Sequence, residues 1–99
     1  MRCEFHPEAL EEYEQAALRY ARRDPELASR FVLEVERAID QILEAPRRWR
    51  VIDQDVRRCL TRLFPYGILY TLEPESVLIV AVMHCRREPG YWKSRVEKS

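Results

Sequence analysis

The chain has 99 residues, 17 basic and 17 acidic, with 46% hydrophobic and 34% charged residues; one globular domain over residues 1–99 fits that balance, and disordered, collagenous or two-domain architectures do not. No run approaches the roughly 18 apolar residues of a membrane span, 2 glycines argue against a Gly-rich phosphate loop, and Met1-Arg2-Cys3-Glu4-Phe5 leads into acidic helical sequence, not into a signal peptide. Cys3, Cys59 and Cys85 are odd in number and lack CxxC spacing, so no disulfide framework or zinc ribbon is expected, and a reducing cytoplasm is the expected location.

Residues 2–5 read as a short edge strand. His6-Pro7 then opens a helix with proline in its first turn. Ala9, Leu10, Tyr13, Ala16, Ala17 and Tyr20 recur at helical spacing, with Glu8, Glu11, Glu12 and Glu14 early and Arg19, Arg22 and Arg23 late, as the helix dipole favours. Asp24-Pro25 restarts the chain as N-cap and first helical residue. Leu27, Phe31, Val35, Ala38, Ile39, Ile42 and Leu43 form the second apolar stripe, which Pro46 stops. So short a link predicts an antiparallel helical hairpin.

Residues 46–55, polar and Arg-rich around Trp49, read as a loop, and residues 56–63 as a strand. Residues 66–73 are rich in strand formers, Pro74-Glu75 marks a turn, and residues 76–84 are apolar on both faces, as a central strand requires. Glu88-Pro89-Gly90 makes a turn into a short tail, Tyr91 to Lys98, with helical character. A strand, a helical hairpin and a three-stranded antiparallel meander define an α+β fold. One sheet face should bury the hairpin, leaving the other open to receive a ligand.

The zero net charge hides an asymmetry. Residues 1–45 carry 6 basic and 11 acidic side chains, residues 46–99 carry 11 and 6, and 15 of the 17 basic residues are arginine. An arginine-rich half is suited to bidentate recognition of phosphate or carboxylate, beside the plainer reading of a solvated, internally paired surface.

The segment Ala81-Val82-Met83-His84-Cys85-Arg86-Arg87-Glu88-Pro89-Gly90-Tyr91-Trp92, with Val56-Arg57-Arg58, Phe64-Pro65-Tyr66 and Tyr70, resembles the RelE/ParE superfamily of toxins from type II toxin–antitoxin and plasmid stabilisation systems. The resemblance spans nearly the whole chain. It implies a small cytoplasmic α+β toxin neutralised by a cognate antitoxin. RelE-like members are metal-free, ribosome-dependent mRNA endonucleases; ParE-like members poison DNA gyrase and lack the nuclease residues. Carried over from RelE-like members, Arg57 or Arg58 matches the arginine on the sheet, Arg86 or Arg87 the one near the end of the last strand, and Tyr91 or His84 the C-terminal acid–base residue.

Metal-free RNA cleavage needs a base for the 2′-hydroxyl, an acid for the leaving oxygen and positive charge on the phosphate. By that resemblance, Arg58, His84, Arg87 and Tyr91 are the expected catalytic set, with Arg57, Arg86, Trp49 and Trp92 binding nucleic acid and Tyr66 available for stacking. Tyr91 serves as a base only where nearby arginines lower its pKa, and both Tyr91 and Trp92 have the alternative of packing the tail down. Alternation lets only one of Arg57 and Arg58 face an open cleft. No cofactor is expected, and Cys3, His6, His84 and Cys85 make a poor metal set because adjacent strand residues point apart.

The leading expectation is a ribosome-dependent mRNA endonuclease acting on ribosome-bound mRNA, with gyrase poisoning the alternative and an inert antitoxin-binding member the third. Two lysines, no net charge and no carboxylate base on the sheet favour the alternative. The antitoxin's C-terminal segment is expected to lie across the hairpin and exposed sheet.

Overall fold

The computed structural model describes residues 1–96. Its elements are β1 (Arg2–Phe5), α1 (Pro7–Arg23), α2 (Pro25–Glu44), β2 (Val51–Asp53), β3 (Val56–Leu60), β4 (Tyr66–Leu72) and β5 (Ser76–His84), followed by a 3-10 turn at Lys93–Arg95. The sheet order is β1-β5-β4-β3-β2. β1 pairs parallel to β5, and the β2–β3, β3–β4 and β4–β5 pairs are antiparallel.

Asp24 makes the hairpin. Its backbone N–H donates to the Tyr20 carbonyl, closing α1, while its carboxylate accepts from the Glu26 N–H at 2.9 Å, opening α2. One residue thus serves both helix ends, and the helices fold back on each other. Their apolar stripes meet the sheet through Ala9, Ala16, Phe31, Val35, Ala38 and Ile42, all against Cys59, Ile68, Tyr70, Val77 and Ile79.

The structure corrects the sequence reading at three places. Residues 51–53, expected within a loop, form β2 because Val51 and Asp53 pair with β3. β3 ends at Leu60, since Thr61 turns the chain by bonding back to the Tyr66 carbonyl through both its N–H (2.9 Å) and its hydroxyl (3.0 Å). The second sheet face is covered in part rather than open. Trp92, 3% exposed, packs there with Val56, Leu69, Val80, Ala81 and Met83, and Tyr91 and Val96 flank it. The end of the expected tail, at Lys98, lies outside the described residues.

A β-bulge in β5 lets this strand serve both faces. Leu69 pairs with Ala81 and Tyr70 with Ile79, so Val80 is the extra residue. The slip turns Val77, Ile79 and Val82 toward the hairpin, and Leu78, Val80, Ala81 and Met83 toward the tail. A stable second face therefore depends on Trp92. Trp92→Ala should cost about 3–5 kcal/mol of folding stability, measured by urea denaturation; a cost below about 1 kcal/mol would mean that the tail is not part of the core.

Candidate functional site

The charged side chains converge where β1 stops. β1 pairs with β5 only as far as Ile79, so the backbone of β5 beyond it faces no strand. Side chains take the place of that strand. The Glu12 carboxylate, carried by α1, accepts from the Val82 N–H at 3.0 Å, and the Val80 carbonyl accepts from Arg95 Nη1 at 3.0 Å. Glu12 and Arg95 join in a two-pronged pair, Nη1 to Oε1 at 2.9 Å and Nη2 to Oε2 at 3.0 Å. The Tyr91 hydroxyl donates to Glu12 Oε2 at 2.7 Å. Arg95 is 8% and Glu12 16% exposed in the side chain, so these charges meet largely away from water, where such a pair holds only if its hydrogen bonds are complete.

Beside this junction opens a cleft of about 320 Å³, lined on the helix side by Glu8, Glu11 and Arg19 and on the sheet and tail side by Tyr66, His84 and Arg87. Arg19 Nη2 donates to the Tyr66 hydroxyl at 3.2 Å. The His84 imidazole stands edge-on to the Tyr66 ring at 5.1 Å, and its Nδ1 accepts from the Arg86 N–H at 3.0 Å, leaving Nε2 to donate. The Arg87 guanidinium lies 3.9 Å from the centre of the Tyr91 ring, a cation–π stack, with Nη1 3.9 Å from Glu12.

Of the expected catalytic set, the structure brings His84, Arg87 and Tyr91 together and leaves Arg58 apart. His84 pairs across the strands with Tyr66, on the hairpin face, while Arg58 pairs with Leu69, on the tail face. Arg58 lies over Gly67 instead: a Cβ there would come within 3.2 Å of its Cγ and Cδ. Arg57 sits on the hairpin face opposite Tyr70 and donates to the carbonyls of Trp49 (2.7 Å) and Arg47 (3.3 Å). It braces the loop after α2, as the Tyr70 hydroxyl does through the Pro46 carbonyl at 2.6 Å. A larger groove, about 770 Å³, opens between Arg57, Val56, Leu78 and Val96. The smaller cleft is the better candidate because His84, Arg87 and Tyr91 all line it.

The aromatic residues expected to stack on bases are packed. Trp92 and Tyr66 are 3% and 4% exposed, and Trp49 rests against the hairpin-face core. Arg86 is exposed. Glu12 was legible in sequence only as a charge suited to the helix dipole, and Arg95 not at all, because their roles arise from a contact across 83 residues. Arg19 carried a signal, since it follows Glu8, Glu12 and Gln15 along one helical stripe. Among the described residues no three His, Cys, Asp or Glu side chains converge as metal ligands would.

Burial first, then the hydrogen bond to Glu12, push the ionisation of Tyr91 well above the ordinary tyrosine range, despite Arg95 and Arg87 nearby. A pKa raised by folding means stability present while the unfolded group is protonated, below about pH 10, and lost as pH climbs toward the folded value. Absorbance at 295 nm should show Tyr91 ionising only above pH 10, and Tyr91→Phe should lessen the alkaline fall in melting temperature. Burial likewise pushes Tyr70 up to about 12, so part of that fall should remain in Tyr91→Phe. At neutral pH, Glu12→Gln should cost about 3 kcal/mol by leaving Arg95 without its counter-charge. A urea midpoint unchanged by Glu12→Gln would show that the pair does not hold the tail.

Comparisons with known proteins agree with this architecture. The profile of the ParE toxin of type II toxin–antitoxin system, parDE, matches residues 3–89. A solved structure titled "Chromosomal ParDE TA system from P. aeruginosa" shares the fold, with a TM-score of 0.74 and 12% identity over 85% of this chain and 95% of that one. No curated protein matches the sequence. Among the described residues no helix is long and apolar enough to cross a membrane. With most of the chain matched to one family and its α+β architecture shared, this protein belongs to the ParE toxin family of type II toxin–antitoxin systems.

Proposed function

We propose that this toxin acts by binding rather than by cutting RNA: it poisons DNA gyrase, and its antitoxin restrains it. The observation that carries this reading is the commitment of Tyr91, whose hydroxyl donates to Glu12 and whose ionisation is pushed up, the opposite of what a general base near neutral pH requires. Arg58, on the other sheet face, is turned away from the His84 cleft. A phosphate in that cleft would be without the arginine that RNA cleavage draws from the sheet.

The expected antitoxin contact across the hairpin has support of its own. Leu10 and Leu18 on α1 and Val32 and Leu33 on α2 are 38–55% exposed. Apolar side chains exposed on both helices of a hairpin suit an amphipathic partner segment.

Purified toxin added to gyrase and relaxed plasmid should block supercoiling and accumulate cleaved DNA. Added to a reconstituted translation reaction, it should produce no new mRNA ends by primer extension. Codon-phased, ribosome-dependent cuts that vanish in His84→Ala and Arg87→Ala would overturn this reading in favour of the nuclease. The observation favouring that second reading is that His84 and Arg87 do share an accessible cleft.

A further inference from the structure

The cleft beside the Glu12–Arg95 junction is charged unevenly along its length. Its helix wall is one stripe of α1: Glu8 and Glu11 at one end and Arg19 at the other. Arg95 is spent on Glu12 and the Val80 carbonyl, and its Nε also lies 3.6 Å from Glu8. Arg87 is stacked on Tyr91 and only distantly paired with Glu12, at 3.9 Å. Arg19 is different: it is held by the neutral Tyr66 hydroxyl, and among the described residues no carboxylate lies within 4.0 Å of it. Glu11, at the opposite end, has no cation within that distance among the described residues either.

A polyanion fits such a cleft badly. A nucleic-acid strand brings a charge with every nucleotide, and those near the Arg19 end would be followed by others against Glu8 and Glu11. A single carboxylate followed by a basic side chain fits it well. From Glu11 to Arg19 the helix rises about 12 Å, which an extended segment covers in roughly four residues. The complementary partner is therefore an extended peptide with an acidic residue and a basic residue about four positions apart.

We infer that this cleft recognises an acidic–basic segment of the antitoxin, with the antitoxin carboxylate held by Arg19 beside Tyr66 and its cation held by Glu11. The inference rests on the antitoxin contact proposed above and extends it from the apolar hairpin surface to the polar cleft. It does not depend on which target the toxin poisons. Tyr66 is a positioning residue here, fixing Arg19 through its hydroxyl.

Arg19 and Glu11 are both exposed, so substitutions there leave the core untouched. The test is calorimetric titration of the full-length toxin with the antitoxin encoded beside it, using wild type, Arg19→Ala and Glu11→Gln, each first checked for an unchanged melting curve. Arg19→Ala should weaken binding about 10- to 100-fold. Double-mutant cycles against acid-to-amide substitutions in the antitoxin should place that loss on one carboxylate, and Glu11→Gln should couple to a lysine or arginine roughly four residues away. If neither toxin variant changes affinity by more than about twofold, the inference is overturned, while the gyrase assay remains an independent test of target. A 20-nucleotide single-stranded RNA is the competing probe. No binding is expected; binding that weakens with Arg19→Ala and strengthens with Glu11→Gln would assign the cleft to nucleic acid and overturn the inference.

Discussion

The carboxylate of Glu12 closes an edge that the sheet itself leaves open. β1 is too short to pair with all of β5, and an unpaired strand edge near the core must find hydrogen-bond partners or lose stability. Glu12 supplies the acceptor for Val82, Arg95 supplies the donor for Val80, and the two charges neutralise each other. One junction therefore ties the first helix, β5 and the C-terminal tail, the helix far from the other two in sequence. Because the tail is fixed there, Trp92 can rest on the second sheet face and turn it into a second core.

That solution has a chemical consequence. The groups that close the edge are among those a nuclease would draw on: a tyrosine, arginines and a carboxylate side by side. Here the tyrosine is a hydrogen-bond donor to the carboxylate, and burial reinforces its protonated form. The arginine deepest in the junction has its donors occupied by Glu12 and a carbonyl. What stays accessible is the outer row, Arg19, His84 and Arg87 facing Glu8 and Glu11. Such a surface is suited to recognising a partner's charges, which needs exposed, oriented side chains.

Much of this fold was legible in local sequence. Asp24-Pro25 marks both helix ends because capping is satisfied within a few residues. The apolar stripes of both helices and the unbroken apolar run of β5 report burial directly, through period and length. Long-range pairing escapes such rules. β2 exists only because β3 lies beside it, and its sequence, Arg-rich on one side and acidic on the other, carries no strand period. The phase of β5 was misleading for the same reason: strict alternation puts Leu78, Val80, Val82 and His84 on one face, and the bulge at Val80 separates the first two from the last two.

The candidate site divides along the same line. The residue types, and the gathering of arginines and a histidine near the end of the last strand, were set by the sequence, as was the alternation that sends Arg57 and Arg58 to opposite faces. Which face each arginine takes was decided by register, a property of two strands together. The protonation of Tyr91 was decided by its burial first and then by Glu12, 79 residues away, and the packing of Trp92 by a face that exists only once β3, β4 and β5 are assembled. Composition and periodicity determine which surfaces are buried, because burial is a local average over side chains. Whether a given tyrosine or arginine is reactive, bracing or free to bind depends on its nearest charged neighbour, and only the tertiary structure chose that neighbour.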